Sequence, residues 1–300
     1  ADLTLNISRE TLQHDRQLKV IAKAIEKKIR TELAKMLDTE REKYEKFWSA
    51  FGLQLKYGLY EGYGANKENL KDLVMFVSSN EKKLTTLKEY VSRAKEEQKS
   101  IYYACAETAD KVLMLPQVEA VMAKGYEVLC LSDDVDEFAL KMLGEYDGKE
   151  FKNVCTDKLD ITTDEENKEL KDENESSKDM LDFMKGEIGD GVSAVRFTNN
   201  LGGHPVSLSS EGEVTVEMEK VLSKMPGAQG MAPKAQTVLE INKNHKIADK
   251  LKELYVNDKN KLSKYAKVLY AQARLINGLD VANPAEISTL ICDIMLSSAD

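Results

Sequence analysis

The stretch SIYYACAETADKVLMLPQVEAVMAKGYEVLCLS, residues 100–132, decides how this chain folds. Its two ends, SIYYACA (100–106) and YEVLCLS (126–132), are short, largely apolar runs that suit buried strands. Between them, residues 107–124 read as helical, Pro116 marks a break or restart, and Gly125 is placed to end the helix. Strand, helix and strand in this order form a βαβ unit, whose strands pair in parallel through a right-handed crossover. A further helix over 133–143 and a strand at EFKNVC (150–155) extend the unit into a small α/β layer with parallel pairing.

Upstream, Leu3, Leu5 and Ile7 alternate with Asp2, Thr4 and Asn6, the period of a half-buried strand, and Ser8 is an N-cap for a helix that begins at Arg9. Leu12, Leu18, Ile21, Ile25, Ile29, Leu33 and Met36 continue it as one long amphipathic helix. Thr39 and Glu42 have capping-box spacing. Tyr44, Phe47, Trp48, Phe51 and Leu55 then give a second helix with an aromatic face, which GLYEGYG (58–64) ends. Leu70, Leu73, Val74 and Val77 are spaced for a third helix. Downstream, the polar and acidic run DKLDITTDEENKELKDENESSK (157–178) reads as a linker or a solvated helical lead-in. VSAVRFT (192–198) and PVSLSS (205–210), joined by NNLGGH, predict a hairpin, and TVLEIN (237–242) a third strand. The fold class is therefore α/β and α+β. A helical coil and small α/β layer occupy 1–156, an acidic linker 157–178, and an α+β unit ending in a helical bundle 179–300.

Composition narrows the function classes. With 42% hydrophobic and 32% charged residues, the chain suits globular domains, and its net charge of −9 with dispersed basic residues excludes nucleic-acid binding as the main activity. No apolar run approaches the roughly 20 residues of a membrane span. The chain has no initiator Met and starts inside a strand, which predicts a piece of something longer. Cys105, Cys130, Cys155 and Cys292 are far apart among apolar neighbours, as small buried hydrophobes would be, and point to a reducing, cytoplasmic setting. His14, His204 and His245 form no metal spacing.

Three surfaces could carry function. Leu262, Ala266, Leu269, Ala273 and Ile276 are spaced by four, three, four and three residues, and Ile287, Leu290, Ile291 and Ile294 form a second stripe after the Asn283-Pro284 break. Two readings stay open: the helices cover each other, or they pair with a second copy in a four-helix bundle. The second surface is the apolar face Val214, Met218, Val221, Leu222 and Met225, followed by PGAQG (226–230) and Met231; methionines there suit adaptable contacts, although core packing explains any one of them equally. The third is Arg9 with Gln13 one turn on. A guanidinium at a helix start attracts phosphate oxygens, yet an arginine there is commonly just a solvated charge. No phosphate loop supports it: GEYDGKE (144–150) lacks Walker A spacing and GLYEGYG does not follow a strand.

The segments LTLNISRETLQ (3–13), QKSIYYACAET (98–108), GYEVLCLSDDVDEFAL (125–140), EYDGKEF (145–151) and VLEINKNH (238–245) closely resemble, in that order, the heat shock protein 90 chaperones. The likeness covers nearly the whole chain and looks like the latter part of the middle domain followed by the C-terminal dimerisation domain. It implies that Arg9 reaches the γ-phosphate of ATP held by an N-terminal domain outside this chain, assisted by Gln13. It also implies that the terminal helices form a constitutive homodimer and that the helix around Met218–Met225 contacts unfolded or partly folded client proteins. Co-chaperones are further implied partners, and a bacterial or organellar member is the closer fit. ATP and magnesium belong to the full-length protein, so this chain is expected to hold no cofactor and to hydrolyse no ATP alone. The alternative is a passive dimeric scaffold, with the methionine helix in the core and Arg9 a surface charge.

Overall fold

The computed structural model describes residues 16–156, 161–225, 227 and 232–297. Two long helices, α1 (Arg16–Thr39) and α2 (Arg41–Gly64), come first among the described residues. Gly62 and Tyr63 take positive φ of 59° and 55°, a left-handed step that stops α2 where GLYEGYG is read as a terminator. The capping box expected at Thr39 and Glu42 does not form: Glu40 is the N-cap without a side-chain bond, and the Thr39 hydroxyl donates back to the Lys35 carbonyl at 2.8 Å.

The expected third helix is also replaced. Only α3 (Lys67–Leu70) is helical, and Val74 leads into strand β1 (Met75–Ser78), which pairs antiparallel with β2 (Leu84–Thr86). The apolar run LVMFV is buried from both sides, which a strand achieves in fewer residues than a helix. Helix α4 (Leu87–Arg93) follows, with a reciprocal capping box between Thr86 and Glu89.

The βαβ unit folds as expected: β3 (Ser100–Cys105), α5 (Ala109–Leu113), α6 (Pro116–Ala123) with Pro116 at its start, and β4 (Val128–Leu131), parallel to β3. After α7 (Asp136–Leu143), β5 (Glu145–Tyr146) turns through Asp147 and Gly148, both at positive φ, into β6 (Lys149–Asn153). The six-stranded sheet runs β2-β1-β4-β3-β6-β5, with parallel pairing at β4-β3-β6 and antiparallel hairpins at both edges, so the layer is mixed. Tyr44, Trp48, Phe76 and Tyr103 pack on one face; Tyr102, Val112, Val118 and Val128 pack on the other.

The acidic stretch resolves into α8 (Asp164–Ser176), capped by a Thr163–Glu166 box, with Asn174 bonding both the N-H and the C=O of Phe197. Then come α9 (Lys178–Ile188), β7 (Ala194–Thr198), β8 (Val206–Glu211), α10 (Val216–Lys224), β9 (Gln236–Asn242), α11 (Lys246–Asn257), α12 (Lys259–Ile276) and α13 (Pro284–Leu296). The expected β7–β8 hairpin is corrected: the order is β7-β9-β8, with β9 parallel to β7 and antiparallel to β8. Strand β9, buried over Val238–Asn242, takes the centre of the sheet with Leu239 and Ile241 in the core, while the buried Glu240 beside them is paired with Arg196 of β7 at 2.7 Å. Among the described residues, no helix is long and apolar enough to cross a membrane.

Candidate functional site

The two sheets meet across a seam of side-chain and backbone hydrogen bonds. The buried Gln117 amide donates to the Leu208 carbonyl at 2.9 Å and accepts from the Ser207 hydroxyl at 3.0 Å. Thr156 bridges Ser210, whose N-H donates to the Cys155 carbonyl at 3.0 Å. Above this seam lies a cleft of about 730 Å³. Its apolar lining comes from both layers: Met114 and Phe138 from one, Met218, Val221 and Leu275 from the other.

One buried carboxylate organises the cleft wall. Glu137 on α7 accepts from Tyr103 Oη at 3.2 Å and Asn153 Nδ2 at 2.8 Å through Oε1, and from Thr215 Oγ1 at 2.5 Å through Oε2. Thr215 is in turn the N-cap of α10, its Oγ1 accepting from Met218 N at 3.2 Å. The start of the helix is therefore tied to the six-stranded layer by the Thr215 hydroxyl, with Lys141 Nζ of α7 donating to the Glu213 carbonyl just ahead of it. Farther along, Glu219 Oε2 accepts from Ala235 N at 2.7 Å and Lys220 Nζ reaches Glu217 at 2.6 Å. Burial, with Glu137 adding its charge, pushes the Tyr103 hydroxyl and the Cys105 thiol well up. Cys155 is raised by burial, then by Glu240 and Glu137. Both cysteines face the cleft as neutral thiols, poor nucleophiles at neutral pH.

Helix α10 has no buried residue, which is how it differs from a core helix. Val214, Met218, Val221 and Leu222 are half-buried and Met225 is 48% exposed. Met218 and Val221 face the cleft, while Arg9, Gln13 and Met231 lie outside the described residues. Glu137 and Phe138, about a quarter of the chain away from α10, are the cleft residues that sequence spacing missed; two consecutive acids, Asp136 and Glu137, inside an apolar helix were the available signal.

The terminal stripe divides. Leu262, Ala266, Leu269 and Ala273 are 0–5% exposed and packed in this chain's own core with Phe197, Leu208 and Ile241, so they are not free to meet a second copy. Ile276, Ile287, Leu290 and Ile294 are half-buried, and Ile291, Met295 and Leu296 are exposed on α13, which is tied to α12 by the Lys264–Asp293 pair at 2.6 Å. The cysteines are all free: Cys130 is buried and Cys105 and Cys155 half-buried, but Cys292, on α13, is exposed, contrary to expectation.

A mixed α/β and α+β chain that ends in helices and carries an inter-layer cleft is the class defined so far. The Hsp90 protein family profile matches residues 1–300, and the chain belongs to the Hsp90 family. It is 52% identical over 295 residues to the chaperone protein HtpG of Bacillus subtilis (strain 168), covering 98% of this chain and 47% of that protein. Against the chaperone protein HtpG of Clostridium perfringens (strain 13 / Type A) it is 52% identical over 294 residues, covering 98% and 46%. The chain thus spans about half the length of the curated relatives it matches.

Proposed function

We propose that the chain is the middle and C-terminal part of an ATP-dependent molecular chaperone that holds unfolded or partly folded client proteins in the inter-layer cleft. The observation that carries this reading is α10: an amphipathic helix without a buried residue, whose Met218 and Val221 form a cleft wall opposite Phe138 and Met114. A mobile thioether-rich wall accepts side chains of varied shape, which a binder of many sequences needs. Among the described residues no group of three or more His, Cys, Asp or Glu is placed to hold a metal ion. In this reading the nucleotide sits elsewhere in a longer protein, where Arg9 and Gln13 sense its γ-phosphate.

The test is suppression of aggregation of a heat-denatured client. Met218→Asp with Leu222→Asp is expected to reduce suppression about tenfold or more while the circular dichroism spectrum and melting midpoint stay near those of the parent, because half-exposed positions tolerate charge. Unfolding of the double variant would instead assign the helix to the core and favour the passive scaffold. Dimerisation is a separate part of the proposal, with α13 covering its exposed Ile291, Met295 and Leu296 against a second copy. Light scattering at micromolar concentration is expected to give twice the 33.7 kDa chain mass, and Ile291→Glu with Met295→Glu to give the monomer.

A further inference from the structure

The cleft is lined by one methionine from each layer, Met114 at the end of α5 and Met218 on α10. Met114 is 69% exposed, and Met225, at the end of α10, is 48% exposed. By contrast Met75, Met180 and Met184 lie in the cores at 0–3%. Exposure controls thioether oxidation, and the sulfoxide turns a flexible apolar side chain into a polar, chiral one. The two cysteines in the same cleft wall are held as neutral thiols by burial, which slows their own reaction with peroxide and leaves the thioethers as competing targets.

We propose that Met114 and Met218 are an oxidative modification site that closes the cleft to apolar client segments. The oxidant is a peroxide: the thioether sulfur attacks one oxygen of H2O2, the O–O bond breaks, sulfur gains oxygen with loss of two electrons, and water leaves. Methionine sulfoxide on both layers places S=O dipoles where an apolar segment must sit, and those dipoles lose their water when the segment binds. Enzymatic reduction of the sulfoxides restores the surface. The proposal rests on the client-cleft reading of the proposed function.

The experiment treats the full chain with H2O2, maps sulfoxide at each methionine by peptide mass spectrometry, and titrates reduced, carboxymethylated lysozyme carrying a fluorophore. Affinity is compared before and after peroxide within each variant. Sulfoxide is expected at Met114, Met225 and Met218 before Met75, Met180 and Met184, with client affinity falling about tenfold. In Met114→Leu with Met218→Leu, the ratio of affinities before and after peroxide is expected to stay within about twofold, since no thioether remains in the cleft lining. An unchanged affinity in parent protein fully oxidised at both sites overturns the switch and leaves the client cleft standing. The same peroxide loss in the double leucine variant also overturns it, placing the sensitive group elsewhere. Absence of client binding before any peroxide overturns the client cleft and the switch together.

Discussion

Lys56→Met is expected to cost about 3–5 kcal/mol of folding stability, because it removes one half of a buried ion pair and leaves the other half without a counter-charge. Lys56 sits inside α2 with its side chain 7% exposed, and its Nζ lies 2.7 Å from both Asp133 Oδ2 and Asp136 Oδ1. The ammonium also stands 4.9 Å from the Phe76 ring centroid and 5.8 Å from that of Trp48, so aromatic faces as well as carboxylates hold it. Asp136 is the group left exposed to the loss: its side chain is 2% accessible, and only Oδ2 accepts from backbone, from Ser132 N at 3.1 Å and Asp133 N at 3.0 Å. Methionine fills much of the lysine volume, so the deficit reports charge rather than a cavity.

The same pair sets a pH signature. Burial raises the Asp136 carboxyl above its ordinary 3.8, with Lys56 opposing the rise. A folded-state value above the unfolded one means that the folded chain binds the proton more tightly. The contribution is fully present below 3.8 and is lost as pH rises through the folded value. Without Lys56 the folded value rises further, so the deficit of Lys56→Met is expected to be smaller at pH 4.5 than at pH 7.5. Urea unfolding at the two pH values measures it. Equal deficits, or a deficit under about 1 kcal/mol at neutral pH, would mean that solvent reaches Asp136 and the pair is effectively a surface one.

That ion pair was invisible in the sequence for the reason that limits sequence reading generally: its partners are 77 and 80 positions apart, and nothing local in GLQLKYG marks Lys56 as buried. What was legible was local or strongly periodic. The βαβ unit with its Pro116 restart, the left-handed stop near Gly62, and the terminal pair of helices each follow from a short-range rule. The failures arose where two rules compete. Leu70, Leu73, Val74 and Val77 satisfy helical spacing, yet burial on both sides makes Met75–Ser78 a strand. Adjacency pairs β7 with β8, yet β9, buried over five consecutive residues, lies between them and pairs with both. The stripe of Leu262, Ala266, Leu269 and Ala273 showed a buried face without showing which chain buries it, and the answer is its own. The α10 half of the cleft was readable from Met218 and Val221; Phe138 and Glu137 were not, because the cleft exists only where two layers distant in sequence are apposed.

Glu137→Gln is expected to loosen α10 while leaving the six-stranded layer folded. Gln keeps an oxygen for Tyr103 Oη and Asn153 Nδ2 but puts an amide where Thr215 Oγ1 donates at 2.5 Å. Thr215 then cannot both donate to residue 137 and hold its cap geometry, and a hydrogen bond to a charged group worth about 1.5–3 kcal/mol is lost. Because the same Oγ1 accepts from Met218 N, the damage passes to the first turn of the helix and not to β3 or β6. Hydrogen exchange at Val216–Lys224 is expected to accelerate by about tenfold or more, with exchange at Ser100–Cys105 nearly unchanged. Thr215→Val should produce the same local pattern, and the pair should be non-additive by about 1 kcal/mol or more in a double-mutant cycle. Additive effects would mean that the carboxylate and the hydroxyl act on separate parts of the fold. Non-additivity with lost client capture would connect the seam to function: the helix that faces the client would be held in place by a charge on the other layer, so that movement of one layer against the other alters the cleft directly.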